Sequence, residues 1–220
     1  MAEKRRLGIF HITAYLIIFF VIWSVRELII RPVFLDSFEG LTFQILETSM
    51  KLLVWTLPAV LLIRHFQDDM WVSLKEMFTT KPRWFKETPI LLVVFVPFIQ
   101  ALLAFGQIAI HPDFIPVTLI ESVIFAGITE EIVFRGFLLN VFLKKMKAQN
   151  AIALDAALFT LIHYPIWIYR GFGFVDFIPA SAAVAILSVL FAYSFIKTGN
   201  ILVPIALHMI WNLLTRLFFG

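Results

Sequence analysis

Long apolar runs alternate with short polar stretches from one end of the chain to the other. An apolar run of about 20 residues is long enough to cross the ~30 Å hydrocarbon layer of a bilayer as an α-helix. The pattern predicts seven membrane-spanning helices, at about 7–30, 41–63, 89–110, 117–143, 151–169, 180–196 and 201–219.

A longer polar stretch, residues 64–88, separates the second and third predicted helices. Within it, apolar side chains recur at helical spacing, at Met70, Trp71, Leu74, Met77 and Phe78. This pattern predicts a short amphipathic helix that lies in the membrane interface.

The composition agrees with a membrane protein and excludes a soluble one. Only 15% of the 220 residues are charged and 61% are hydrophobic, with a mean hydropathy of +0.93. Soluble domains contain about one-quarter charged residues. The apolar runs also lack the strict alternation of barrel strands, which are only about 10 residues long. We therefore predict an all-α integral membrane protein, a bundle of about seven transmembrane helices that forms a single transmembrane domain over residues 1–220.

Lysine and arginine are distributed unevenly between the predicted loops. By the positive-inside rule, the side richer in these residues is cytoplasmic. The richer side holds Lys4, Arg5, Arg6, Arg64, Lys75, Lys81, Arg83, Lys86, Lys144, Lys145, Lys147 and Lys197, and the other holds Arg26, Arg31, Arg170 and Arg216. We predict a multi-pass protein of the cell membrane with a cytoplasmic N-terminus and an external C-terminus. This topology explains the net charge of +3, so nucleic acid is not expected as a partner.

The fourth predicted helix carries three charged side chains near its centre, Glu130, Glu131 and Arg135. Each costs about 2.5 to 3.5 kcal/mol in the bilayer core, and such residues usually face the protein interior for a functional reason. Glu131 and Arg135 are four residues apart, so they share one helical face and are expected to pair. Glu130 points about 100° away and is left over. A desolvated carboxylate of this kind suits a general base at neutral pH.

Three further polar residues lie inside predicted helices: His163 in the fifth, and His208 and Asn212 on one face of the seventh. At 1.5 Å of rise per residue, Glu130 and His163 lie about 20 Å from the lysine-rich side. His208 and Asn212 lie about 11 and about 17 Å from it. We therefore expect all four residues to line one polar cavity within the membrane, open toward the cytoplasm.

Other interpretations of these residues stay open. A single interior histidine such as His163 is more often a hydrogen-bonded structural residue than a catalyst. His208 and Asn212 can equally be hydrogen-bonding links between helices. Intramembrane carboxylates also serve as proton relays in transporters. Lys51 in the second helix and Glu121 near the outer end of the fourth can extend toward the membrane interfaces, although Lys51 is too central in its helix for this to explain it fully.

Three sequence motifs combine these residues: EEIVFR at 130–135, FTLIH at 159–163 and HMIWN at 208–212. In their order, spacing and position within apolar helices they resemble the motifs of the CPBP family of intramembrane proteases, the CAAX protease and bacteriocin-processing (Abi-type) family. The resemblance covers about residues 121–215, which we take as the catalytic core.

The resemblance implies a glutamate-dependent intramembrane endopeptidase, a hydrolase. In such an enzyme Glu130 would activate a water molecule with help from His163, while His208 and Asn212 would form the oxyanion hole. The motif residues left for structural support are Glu131, Arg135 and Phe159.

The resemblance also bears on cofactors and partners. Glu130 and two histidines offer three ligands for zinc, the alternative to a metal-free site. Asparagine is a poor zinc ligand and the chain has no His-Glu-x-x-His pair, so we expect no cofactor. Members of the family cleave prenylated C-terminal CAAX proteins, process signalling or bacteriocin peptides, or confer bacteriocin immunity. The expected partners are the bilayer and a membrane peptide or lipidated protein substrate, and the alternative function is a non-catalytic membrane scaffold or a bacteriocin-immunity protein.

Overall fold

The computed structural model describes residues 7–82, 89–112 and 114–220. These residues form helices joined by short connections, and the described part of the chain contains no strand. In chain order the helices are α1 (Ile9–Ser37), α2 (Gly40–His65), α3 (Leu74–Thr79), α4 (Ile90–Phe105), α5 (120–145), α6 (Ala148–Tyr169), α7 (Phe174–Thr198) and α8 (Leu202–Phe219).

The lengths and surfaces of these helices are those of a membrane bundle. Five of the described helices, α1, α2, α6, α7 and α8, are long and apolar enough to cross a membrane, and α4 is apolar but shorter. α5 is less apolar because of its central charges, which are buried inside the bundle. Large apolar side chains such as Leu103 and Phe174 cover the outer surface, as suits contact with lipid. The predicted all-α multi-pass membrane protein is confirmed.

Three predicted helix boundaries are wrong by five residues or more, the first of them the end of α1, which lies at Ser37 rather than near residue 30. α4 ends at Phe105 rather than near residue 110, because Gly106 adopts a left-handed backbone with φ of 69°, which terminates a helix. α7 begins at Phe174 rather than near residue 180, so most of the predicted loop 171–179 is helical. The Asp176 carboxylate accepts a hydrogen bond of 2.9 Å from the backbone N–H of Gly173, which caps the early start of this helix.

α6 is interrupted at Ile162 and His163, between the helical segments Ala148–Leu161 and Tyr164–Tyr169. Proline has no amide hydrogen, so Pro165 cannot close the helical hydrogen bond to residue 161. At the break, the carbonyl oxygen of Ile162 accepts a hydrogen bond of 2.9 Å from the Trp23 indole of α1. His163 therefore stands at an irregular turn rather than within the continuous helix that we predicted.

Consecutive long helices run in opposite directions through the bundle. At one end, called here the lysine end, the backbone of Leu7 contacts both Asp69 and Lys145. At the other end, called here the arginine end, the Tyr169 hydroxyl donates a hydrogen bond to Asp36. The arginine end also carries Arg31, Arg170 and Arg216. The start of α1 and the end of α8 consequently lie at opposite ends of the bundle.

Two buried asparagines attach the polar connection between α2 and α4 to the lysine end. Asn140 accepts a hydrogen bond of 2.8 Å from the N–H of Val72 and donates one of 2.9 Å to its carbonyl oxygen. Asn200 donates to the carbonyl oxygen of Thr80 at 2.5 Å. The helix predicted in this connection is present, but it is only the six-residue α3.

α5 and α8 pack closely where α5 has a glycine. A Cβ atom at Gly127 would lie 2.8 Å from Cγ of Met209 and 3.4 Å from the carbonyl oxygen of Ile205. Small residues let membrane helices approach each other in this way. The close contact brings Glu130, one turn further along α5, next to His208 of α8.

The orientation of the bundle in the membrane stays a prediction from the basic residues. Reporter fusions at Lys147 (lysine end) and Gly173 (arginine end) should fall on opposite sides of the membrane, with Lys147 cytoplasmic, because α6 crosses between them. Two fusions that report the same side would contradict the crossing, and an external Lys147 would contradict the orientation alone. The basic residues of this prediction that lie outside the described residues are Lys4, Arg5, Arg6, Arg83 and Lys86.

Candidate active site

The polar residues inside the bundle line one cavity of about 310 Å³. Its walls come from α1, α2, α5, α6 and α8, and successive lining residues on a helix are often four apart, the spacing of a single helical face. The four residues expected to converge all line it: Glu130, His163, His208 and Asn212. Their catalytic roles stay predictions.

The cavity extends toward the arginine end. From Glu130 its lining continues along α5 to Ser122, and from His208 along α8 to Arg216. On the side of the lysine end it stops at Trp55, which is 1% exposed. The expectation that the cavity opens toward the lysine-rich side is therefore wrong. The rise along a helix fixes the depth of a residue, but it does not show at which end neighbouring helices separate.

Glu131 is held by two hydrogen bonds from neighbouring side chains. It is fully buried, and its Oε1 accepts from Arg135 Nη1 at 3.1 Å and from His208 Nδ1 at 2.7 Å. The ion pair expected from the four-residue spacing is thus present, with the histidine of α8 as its third member. An ionised carboxylate only accepts hydrogen bonds, so Nδ1 of His208 carries a hydrogen.

Arg135 has partners on two further helices that the motif spacing did not predict. Its Nη2 donates to the hydroxyl and carbonyl oxygens of Ser188 at 2.7 and 3.0 Å, and its Nε lies 3.5 Å from Oδ2 of Asp155. The guanidinium also lies over the Phe159 ring, 4.5 Å from the ring centre. Asp155 could have been predicted from the sequence, because it is an ionisable residue inside an apolar helix. Ser188 gave no comparable signal.

Glu130 faces the cavity with a lysine as its neighbour. Its Oε1 lies 3.5 Å from Nζ of Lys51, and its Oε2 lies 3.9 Å from Nε2 of His208. Lys51 also donates a hydrogen bond of 2.6 Å to Glu121. The expectation that Lys51 and Glu121 extend toward the interfaces is wrong, since their side chains are only 9% and 15% exposed. A lysine at the centre of a helix is too far from either interface to reach it, and this was the available signal for an interior partner.

His163 is fixed by its surroundings in one tautomer. Its Nδ1 lies 2.8 Å from the carbonyl oxygen of Phe159, and because a carbonyl only accepts, Nδ1 is the donor. In a neutral ring the lone pair is then on Nε2, the nitrogen that can take up a proton. The rings of Phe159 and Trp167 contact the imidazole, with centroids 5.1 and 5.6 Å away.

Asn212 links α8 to α5. Its Nδ2 donates a hydrogen bond of 2.8 Å to the carbonyl oxygen of Ser122. This carbonyl belongs to the segment Ile120–Phe125, which has wider π-helical turns, a departure from α geometry that is frequent at functional sites. An amide nitrogen carries two hydrogens, so a second one remains for a group bound in the cavity.

The residues of the cavity do not form an evident metal site. Within residues 7–82, 89–112 and 114–220, no group of three histidine, cysteine, aspartate or glutamate side chains is arranged to hold a metal ion. Nδ1 of His163 and of His208 each faces an oxygen acceptor, which leaves only the Nε2 atoms as nitrogen ligands. The metal-free site stays a prediction.

Fold and cavity together define a multi-pass membrane protein that gathers carboxylates, imidazoles and an amide inside its bundle. Residues 90–214 match the model of the type II CAAX prenyl endopeptidase family, described as Rce1-like. This match covers more than half of the chain, and the chain belongs to that family. It is therefore a CAAX-type intramembrane endopeptidase, a hydrolase, and the family resemblance inferred from the three motifs is confirmed.

The family match has a boundary that matters for the site. It begins at residue 90, so α1 and α2, which supply Lys51 and Trp55 to the cavity wall, lie outside it. Comparisons with curated proteins and with solved structures give no match.

Removal of the Glu131 charge should lower stability. Glu131→Gln removes the charge of the carboxylate that, among the residues the structure describes, alone hydrogen-bonds both Arg135 and His208, but Asp155 still faces the guanidinium. We expect a destabilisation of about 3 kcal/mol, at the lower end of the range for broken buried pairs. Thermal unfolding of the purified protein in detergent measures it. Glu39→Gln makes the same change at an exposed position and should leave the melting temperature unchanged; equal melting of both variants would contradict the anchoring role of Glu131.

Proposed function

We propose that the chain hydrolyses a peptide bond of a membrane-associated peptide or of a C-terminal CAAX-type substrate, with Glu130 as the general base. One observation carries this proposal. Glu130 and His163, from different helices, line the same cavity, whereas the adjacent Glu131 is engaged in a buried ion pair. Of two neighbouring carboxylates, only one therefore lines the cavity where a substrate can reach it.

In the proposed reaction Glu130 takes a proton from a water molecule, and the water oxygen forms a bond to the carbonyl carbon of the peptide. The carbon–nitrogen bond then breaks, and the proton passes to the departing nitrogen, so that a carboxylate and an amine result. His163 assists, because its Nε2 can hold a proton while Nδ1 stays bonded to the backbone.

Lys51 holds the carboxylate of Glu130 in place within the cavity. Its ammonium group lies 3.5 Å from Oε1, close enough to attract and orient the carboxylate. The groups that face Glu130 from the neighbouring helices are Lys51, His163 and His208, with Glu121 behind the lysine. Lys51 is thus proposed as a positioning residue that acts through Glu130.

His208 and Asn212 are proposed to stabilise the negative oxygen that develops on the peptide carbonyl. In this role His208 carries a hydrogen on each ring nitrogen: Nδ1 donates to Glu131, and Nε2, on the side of Glu130, donates to the developing oxyanion.

The proposed substrate enters from the lipid or from the arginine end, because the cavity lies inside the bundle and extends to that end. We propose a cell-membrane location with the N-terminus cytoplasmic, on the distribution of basic residues. The alternative is a non-catalytic scaffold or bacteriocin-immunity protein. The hydrogen bonds from His208 to Glu131 and from Asn212 to Ser122 favour it, since both join helices.

Loss of the proposed base distinguishes peptide hydrolysis from the non-catalytic alternative. Glu130→Gln should reduce cleavage of a farnesylated CAAX peptide by about 10² to 10⁴, because the amide cannot take the proton. Lys51→Met should lower kcat at nearly unchanged KM, because the carboxylate of Glu130 loses the cation that orients it, whereas Lys51→Arg should restore much of the wild-type rate. Liquid chromatography of the products in detergent measures these rates.

The control for both changes is the exposed variant Glu39→Gln, which should cleave like the wild type. Undiminished cleavage by Glu130→Gln would contradict the proposed base. A Lys51→Met enzyme with an undiminished kcat would contradict the role of the lysine and leave that of Glu130 standing.

Removal of the Asn212 amide distinguishes catalysis from helix linkage. Asn212→Ala should lower kcat by about 10² to 10³ at nearly constant KM, because an oxyanion donor acts mainly when charge develops. The measurement is steady-state kinetics at matched amounts of folded protein. A preserved kcat together with a lower melting temperature would identify Asn212 as a link between α5 and α8 only.

A metal-free reaction should survive removal of metal ions. Prolonged dialysis of the active protein against EDTA, with metal analysis before and after, should leave kcat unchanged. The physical reason is that the general base and the oxyanion donors are all side chains. Activity that is lost with stoichiometric zinc and returns when zinc is added back would show that Glu130 and the histidines serve as ligands instead.

A further inference from the structure

The arginine end of the cavity gathers four arginines from three parts of the chain: Arg26, Arg31, Arg170 and Arg216. Two of them are paired. Arg26 forms ion pairs with Glu27 and Glu47, and Arg31 lies 3.3 and 3.4 Å from the same two carboxylates. The positive charge of this pair is therefore neutralised within the wall.

Arg170 and Arg216 are not neutralised in this way. No aspartate or glutamate side chain of the described residues forms an ion pair with either, and Arg216 Nη1 donates a hydrogen bond of 3.2 Å to the oxygen of Gly220, the last residue described. Arg170 has an exposed surface at the end of the cavity, but partial desolvation lowers its pKa; the positive charges of Arg216 and Arg31 lower it further, and the more weakly acting Glu27 and Glu121 raise it. Like charges held close together at the end of a cavity favour a bound anion.

We propose that Arg170 and Arg216 bind the terminal carboxylate of the substrate peptide. This inference rests on the proposed function and deepens it, because it makes a free C-terminus a part of the substrate. The planar guanidinium group presents paired N–H donors that match the two oxygens of a carboxylate. The two arginines come from the end of α6 and from α8, so an anion between them touches the two helices that also carry His163 and His208.

The distance along α8 fits such a substrate. Arg216 follows His208 by eight residues, which corresponds to about 12 Å along the helix axis. In a CAAX sequence three residues follow the cysteine, and three extended residues span about 10 Å. When the bond after the cysteine is placed at Glu130 and His208, the terminal carboxylate reaches the level of Arg216. Asn212 lies between, on the same face of the helix.

The competing explanation is contact with an anionic lipid headgroup, since arginines at the ends of membrane helices often lie near lipid phosphates. The two sources of negative charge differ in one testable respect. A lipid site is indifferent to the chemistry of the peptide terminus, whereas the proposed site requires a carboxylate.

The test measures binding to the catalytically silent Glu130→Gln protein in detergent. The probes are a farnesylated, fluorescein-labelled CAAX peptide with a free C-terminal carboxylate and the same peptide with a C-terminal amide. The carboxylate should bind at least about tenfold more tightly, as expected for charge-assisted hydrogen bonds. Addition of Arg170→Gln and Arg216→Gln should abolish this ratio. The matched control, Lys144→Gln with Lys147→Gln, removes the same charge at the lysine end and should preserve it.

Two results would overturn the proposal: equal binding of both peptides to the Glu130→Gln protein, or a ratio that survives the double arginine change. Neither depends on cleavage. Failure of the proposed function appears in a different measurement: the Glu130→Gln protein would cleave the carboxylate peptide as fast as the wild-type protein does. The relative affinity of the carboxylate and amide peptides is first measured with both arginines intact. Misfolding of the double arginine variant therefore cannot hide a negative result.

Discussion

A charge buried between membrane helices must have a partner, because removal of an ion from water costs several kcal/mol. Around the catalytic motifs this constraint produces two connected groups. In one, Glu131 and Arg135 of α5 meet Asp155 of α6 and His208 of α8. In the other, Lys51 of α2 meets two carboxylates of α5. The pairs therefore link α2, α5, α6 and α8, and the cavity is lined by a member of each group, His208 and Glu130.

The adjacent positions of Glu130 and Glu131 acquire different surroundings from helix geometry alone. Consecutive residues diverge by about 100°, so one carboxylate points into the bundle and the other along the cavity wall. Glu131 accepts two charge-assisted hydrogen bonds and is fully buried. Glu130 meets one lysine across 3.5 Å and retains access to the cavity. A fully buried, anchored carboxylate and one that lines the cavity thus arise from one dipeptide without a change of residue type.

Sequence periodicity was sufficient to predict the helices and the depth of their polar residues. The structure accordingly places Glu130, His163, His208 and Asn212 in the lining of one cavity. Periodicity was insufficient to predict which helices lie side by side. The partner of Lys51 is 70 residues away on another helix, and no spacing rule links the two. The end at which the cavity opens depends on where helices diverge, which is a property of packing between helices. Pro165 is a local signal for the break in α6, but it lies within an apolar run, and the run predicted a continuous helix.

The family match covers only a part of the chain that forms the cavity wall. Residues 90–214 contain the proposed base, its histidine and the oxyanion donors, whereas α1 and α2 close the cavity on the other side with Trp23, Lys51 and paired charges. Under the proposed function, the matched helices supply the groups that make and break bonds, and the unmatched ones set the electrostatic surroundings of the base. The attraction between Lys51 and the carboxylate acts on Glu130 itself rather than on any contact with the peptide. Because Lys51 lies outside the matched region, the three motifs alone do not specify which side chain faces Glu130 from α2.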